Sequence, residues 1–139
     1  MSYVLTQTDD AALLPEQRYV RDVDEVLFSR FTSCIGVVVR TGTTLTAVHL
    51  VQIDNQDGYF DPTAARAVLA ILGNGFEEAC ILGCVNDWAH SQNASIRSGY
   101  QTLAAGIQAL RICQIYRNND GIHGAAVAAG RIQVSTVWR

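Results

Sequence analysis

Cys34 and His49 lie on either side of a Thr41-Gly42 turn signal, within two runs that read as strands. A turn centred on Thr41-Gly42 pairs residues whose numbers sum to 83, and Cys34 then faces His49. Directly opposed residues of an antiparallel pair hold their Cβ atoms about 4.5–5.5 Å apart, close enough for a thiol and an imidazole to share a proton. The thiolate is the nucleophile, and a neighbouring imidazolium lowers a thiol pKa from about 8.5 by several units, so acyl transfer is the chemistry such a pair performs. A sum of 85 stays open, because Thr-Gly is a weaker turn signal than Asn-Gly. With an odd sum, Ile35, Val37 and Val39 share a face with Thr46, Val48 and Leu50. The other face, Cys34, Gly36 and Val38 beside Ala47 and Leu45, is small enough to admit a substrate.

The elements around the pair follow from periodicity and punctuation. Residues 1–24 are polar, carry Asp9, Asp10, Asp22 and Asp24, and read as a lead-in segment with one short strand or turn. A strand is expected over the run from Val26 to Thr32, then the hairpin strands Ile35 to Val39 and Leu45 to Ile53. Asn55 to Gly58 is a loop. Asp61-Pro62 supplies an N-cap and a first-turn proline for a helix from Thr63 to Leu72, closed by Gly73. Ala79 to Val85 is a buried strand. Asn93 or Ser95 caps a longer helix to about Leu110, with Ile96, Tyr100, Leu103, Ala104, Ile107 and Leu110 on one face. Three further strands close the chain: Arg111 to Tyr116, Gly124 to Val127 and Arg131 to Val137. Two main helices against about seven strands make the class α+β, with antiparallel-rich sheets covered by helices on one side.

The 139 residues, 49% apolar and 17% charged, support one domain with a sizeable core and exclude intrinsic disorder. A net charge of −3 with no basic stripe argues against nucleic acid as a partner. No apolar stretch is long enough to span a bilayer, so no membrane insertion is expected. The first ten residues lack the cationic and apolar regions of a Sec-type signal peptide. Cys34, Cys80, Cys84 and Cys113 read as mostly free thiols. All ten basic residues are Arg. An even draw from Lys and Arg would give that outcome about once in a thousand, Lys being among the commonest residues. An Arg-favouring genome accounts for it. So does selection against lysine, the ubiquitin acceptor, in a bacterial effector delivered to a eukaryotic cytosol.

The segment Phe31-Thr-Ser-Cys-Ile-Gly-Val-Val-Val39 followed by His49 resembles the signature of the CheD chemoreceptor glutamine deamidases, a Gly-Ser-Cys strand entry with a histidine on the next strand. It is also similar to the catalytic domains of the cytotoxic necrotising factors and the Burkholderia lethal factor, which carry a Leu-Ser-Gly-Cys variant. The order of helices and strands matches over roughly residues 25–138. The resemblance implies an α/β/β sandwich that hydrolyses the side-chain amide of glutamine in target proteins; no cofactor or metal is expected. Carried over by position, Cys34 is the nucleophile and His49 the general base and acid. The backbone N–H groups of Cys34 and Ser33 then form the oxyanion hole. For the third group, relatives of the CheD type place a Thr where this chain has Phe28, and Ser29 is one step away. Strand alternation and the absence of glycine between Arg30 and Ser33 favour a main-chain carbonyl over Ser29 as the partner of His49.

Other candidates read as structural. Cys80 and Cys84 share a strand face, but no Cys-x2-Cys pair accompanies them, so buried thiols are expected there and not zinc. His90 and His123 fall in predicted loops as surface histidines. Gln52 and Asp54 follow His49 closely, and Asp54 reads as a loop cap. Three functions compete. The first is a deamidase toxin or effector acting on a glutamine-bearing protein, held in the bacterial cytoplasm before delivery without a Sec signal and accompanied by an immunity or delivery partner. The second is a chemoreceptor deamidase, against which stands Asn119 to Gly124 in place of a Gly-Gly turn near the C-terminus. The third is a catalytically silent binding domain on the same fold.

Overall fold

The apolar alternation on either side of Gly42 builds the central hairpin, Ile35–Thr41 and Thr44–Leu50, around which the computed structural model, describing residues 3–138, is arranged. In chain order the strands are β1 (Thr6–Gln7), β2 (Arg18–Val23), β3 (Glu25–Leu27), β4 (Ile35–Thr41), β5 (Thr44–Leu50), β6 (Glu78–Gly83), β7 (Cys113–Tyr116), β8 (Ile122–Ala128) and β9 (Arg131–Trp138). The helices are α1 (Pro62–Leu72), α2 (Val85–Ala89) and α3 (Ala94–Gln108). A six-stranded sheet runs β1-β2-β5-β4-β6-β7, and a three-stranded sheet runs β3-β8-β9. Two pairings are parallel, β1 with β2 and β6 with β7, and the others are antiparallel.

The two faces of β4 and β5 nucleate two cores, which makes the molecule a three-layer α+β sandwich. On one face Ile35, Val37, Val39, Val48 and Leu50 pack with Ala65 and Val68 of α1 and Leu103 and Ile107 of α3. On the other, Val38, Leu45 and Ala47 pack with Val26, Ala125 and Ile132 of the small sheet. The helix boundaries follow their caps. Asp61 accepts a hydrogen bond from the Ala64 N–H at 2.9 Å, and the Asn93 side chain accepts from Ser95 and Ile96. α3 stops at Gln108, so Leu110 leaves the buried stripe and stays exposed. The five-residue α2 has no counterpart in the sequence reading. It buries Trp88, whose indole N–H donates to the Ser33 carbonyl at 2.8 Å.

The hairpin takes the sum of 85: Ile35 pairs with Leu50, Gly36 with His49 and Thr41 with Thr44. Cys34 therefore does not face His49, and the reason lies in the turn. A two-residue hairpin turn needs a positive φ at its first central residue. Centred on Thr41-Gly42, it would force β-branched Thr41 into that region. Centred on Gly42-Thr43, it places Gly42 there, at φ 61°.

Two other expectations fail for a shared cause. The run from Val26 to Thr32 is a strand only to Leu27, because Phe28 and Phe31 turn inward. Phe28 lies over Gly36, where a Cβ would sit 2.7 Å from the ring, and Phe31 lies over Gly83, where a Cβ would sit 2.6 Å away. The small face is thus filled by aromatic rings and is not open to substrate. Within that lead-in, residues 3–24 are built into the fold: β2 pairs with β5, and the Tyr3 hydroxyl donates to the Val51 carbonyl at 2.6 Å.

Candidate active site

Cys34 directly precedes β4 and His49 sits near the end of β5, diagonal neighbours on the face that packs against the small sheet. Side chains on such a diagonal still meet when one of them is long. Here a ring nitrogen of His49, the sulfur of Cys34 and a carboxylate oxygen of Glu16 all lie within 4.8 Å of one another. The nucleophile and base named from sequence are therefore brought together, through a register other than the one expected first.

Glu16 and its neighbours were missed. Leu14-Pro15-Glu16-Gln17 forms a turn against the end of β5, with the Gln17 N–H donating to the His49 carbonyl at 2.9 Å and Gln17 at φ 61°. The turn puts the Leu14 carbonyl 2.8 Å from His49 Nδ1 and the Glu16 carboxylate 3.3 Å from the Cys34 sulfur. One signal was present in the sequence: a Leu-Leu-Pro in an otherwise polar segment, with Leu14 fully buried.

His49 is fixed by its surroundings. Its ring lies 4.8 Å from that of Phe31 and 5.7 Å from that of Phe28, centroid to centroid. With the Nδ1 hydrogen given to Leu14, Nε2 carries the lone pair, and this buried atom has no hydrogen-bond partner. A main-chain carbonyl thus orients the imidazole, as expected. Ser29, the less favoured partner, also comes within reach: the chain leaves the strand after Leu27, and Ser29 Oγ lies 3.4 Å from the same Nδ1. One hydrogen serves two acceptors, and the shorter contact takes the larger share. Ser29→Ala is accordingly expected to cost less than about tenfold in rate, below the usual contribution of a general base. A loss equal to that of removing His49, in a folded protein, would show that the hydroxyl completes a triad.

Electrostatics set the resting state. Burial pushes the Cys34 thiol up to about 12, and the bond to Glu16 and its charge add to the rise. Backbone hydrogen bonds from Ser33 and Thr32 pull the other way. Burial lowers His49 from its usual range, against the Leu14 carbonyl and the Glu16 charge. The pair rests as neutral thiol and neutral imidazole, and the thiolate–imidazolium pair expected from sequence is not preformed. Burial also raises Cys113, to about 11, but that thiol is the most accessible of the four. At neutral pH an iodoacetamide mass map is thus expected to label Cys113 before Cys34, and Glu16→Gln is expected to speed labelling of Cys34. Cys34 labelled first in the unaltered protein would contradict the closed resting site.

The backbone around Ser33 and Cys34, expected from sequence to form an oxyanion hole, is held as follows. The Ser33 carbonyl is held by Trp88 and, at 3.3 Å, by the Gln52 side-chain amide. The trans peptide points the Cys34 N–H opposite to that carbonyl. Ser33's own amide serves the sulfur.

The remaining candidates fall as follows. Asp54 caps its loop, accepting from Gly58 at 2.6 Å and Gln56 at 2.9 Å. His90 is exposed at the end of α2. His123 is not a surface residue: it is fully buried on β8, 3.0 Å from Thr136 Oγ1 and 2.8 Å from the Asn119 carbonyl, with its ring against Phe31. Cys84 lies across from Cys34 at the end of β6, its N–H donating to the Cys34 carbonyl at 3.0 Å and its thiol 3.3 Å from Asp120. Among the described residues no helix is long and apolar enough to cross a membrane. The chain matches no protein-family model, and no curated protein matches it in sequence.

Proposed function

We propose that the protein is a cysteine amidohydrolase that converts glutamine side chains of a target protein to glutamate. The observation that carries this reading is the chain of groups from the Cys34 thiol to the His49 imidazole to the Leu14 carbonyl, with the second ring nitrogen left free for proton transfer. The resemblance of residues 31–39 and His49 to the glutamine deamidases supports the choice of substrate. The Glu16 carboxylate at the site supports it too, since it repels the carboxylate of free glutamine and not an amide within a polypeptide.

In the reaction His49 Nε2 takes the thiol proton as the sulfur attacks the amide carbon. The Cys34 N–H donates to the oxyanion. Collapse breaks the C–N bond, and the proton on His49 leaves with the nitrogen as ammonia, leaving a thioester. The neutral imidazole then takes a proton from water, whose hydroxide attacks the thioester. The sulfur departs, regains the proton from His49, and glutamate is released. Because the resting thiol is covered, the substrate must displace Glu16. The lysine-free composition favours an effector delivered to a eukaryotic cell over a chemoreceptor enzyme.

The test is ammonia release from a panel of glutamine-bearing proteins, with peptide mapping of the products. Glutamine-to-glutamate conversion that disappears when Cys34 is replaced sustains the reading. Peptide-bond cleavage without ammonia, or conversion that survives the replacement, overturns it.

A further inference from the structure

We propose that Glu16, Cys34 and His49 form a three-ligand site for a divalent cation of the zinc class. The donors come from three separate segments, the Pro15 turn, the mouth of β4 and the end of β5, and converge within 4.8 Å. With zinc–ligand bonds of roughly 2.0–2.3 Å, neighbouring donors of a tetrahedral site stand roughly 3.3–3.6 Å apart. The sulfur and the Glu16 oxygen already stand at 3.3 Å, and a contraction of about an ångström draws in the rest. Nothing in a thiol–imidazole pair requires a carboxylate on the sulfur, where it works against ionisation. A cation makes the same three groups favourable to one another.

The second observation is independent of the cluster's composition. His49 is fully buried, and its Nε2 has no hydrogen-bond partner. Its Nδ1 donates to the Leu14 carbonyl, the arrangement that fixes the tautomer and orientation of metal-ligating histidines. The donor set is one thiolate, one imidazole and one carboxylate, which selects zinc or cobalt over magnesium or calcium. Binding forms an S–metal bond and breaks the S–H bond, with the proton released to solvent. The two anionic ligands then neutralise the dication. Glu16 is exposed, so the fourth position is open to water, as in sites with three protein ligands.

The regulatory consequence rests on the deamidase reading. A metal that occupies the sulfur and the base's lone pair silences both, and its removal restores them. Metal binding itself is tested without turnover, by titrating the reduced full chain with Co²⁺ alone and recording the near-ultraviolet thiolate charge-transfer band and the visible bands of tetrahedral cobalt. One equivalent of cobalt is expected to bind, with Zn²⁺ displacing it. Cys34→Ala is expected to remove the charge-transfer band, and Glu16→Gln, a change at an exposed side chain that leaves the core untouched, to weaken binding by roughly tenfold or more. The absence of the band in the reduced wild-type protein overturns the site. So does a band that survives Cys34→Ala, or an affinity unchanged in Glu16→Gln. A cobalt band in a protein that releases no ammonia from any substrate sustains the metal site and discards the deamidase reading. Ammonia release insensitive to Zn²⁺, with no band, does the reverse.

Discussion

Cys34→Ser is expected to abolish ammonia release, by on the order of 10³-fold or more, while leaving the fold intact. The hydroxyl is nearly isosteric with the thiol, and it can donate to the Glu16 carboxylate as the thiol does at 3.3 Å. Packing in the second core therefore changes little, and the thermal midpoint is expected to stay close to that of the wild type. What changes is acidity. A thiol held near 12 can still pass its proton to an adjacent imidazole once an incoming amide displaces Glu16 and the Ser33 and Thr32 amides turn to the thiolate. A serine hydroxyl in the same place starts far less acidic, and behind the imidazole stand the neutral Leu14 carbonyl and Ser29 hydroxyl, not a carboxylate that could compensate. Ammonia release that persists in Cys34→Ser would remove Cys34 as nucleophile.

The same residues show why some of this architecture was legible and some was not. Asp61, Pro62 and Asn93 announce helices α1 and α3 because capping is local: a side chain satisfies N–H groups two or three residues on, and no distant part of the chain has a say. The apolar alternation of β4 and β5 is equally local, so their faces were readable in any odd register. Register itself depended on one residue. Gly42 accepts a positive φ that Thr41 resists, and this moves the partner of His49 from Cys34 to Gly36. Cys34 and His49 still come together across the diagonal, the sulfur and a ring nitrogen within 4.8 Å.

What surrounds them depends on contacts distant in sequence, and those were not readable. Glu16 reaches Cys34 only because β2 joins the edge of β5. His123 becomes a buried residue only because β8 lies in the second sheet, beside the bend that carries Phe31. Phe28 and Phe31 carry strand-like residue types, yet they leave the strand because Gly36 and Gly83 offer seats where no Cβ intervenes. A local pattern cannot show that a ring from one segment will lie over a glycine from another.

His49→Asn is the substitution that isolates the base. Alanine there would open a cavity among Phe28, Phe31 and Leu14, and a loss of activity could then follow from a loosened fold. The amide nitrogen of asparagine stands near the place of Nδ1, so the bond to the Leu14 carbonyl can be kept while the lone pair at Nε2 is lost. Turnover is expected to fall by 10²-fold or more, of order what a general base contributes. The effect on stability has a definite sign. His49 in the folded protein titrates below its ordinary 6.5 because burial disfavours the cation, so as pH falls below 6.5 the unfolded chain takes up a proton that the folded one refuses. The wild type therefore loses stability from about pH 6.5 downward, and above that value His49 is neutral in both states and contributes nothing. His49→Asn removes this part of the acid loss, which denaturant melts at pH 5 and pH 7.5 would register as a smaller difference between the two conditions. The decisive readout is the thiol. If turnover persists in His49→Asn and Cys34 alkylates with the wild-type pH profile, the thiol and the imidazole act independently, and the proposed proton transfer between them does not occur.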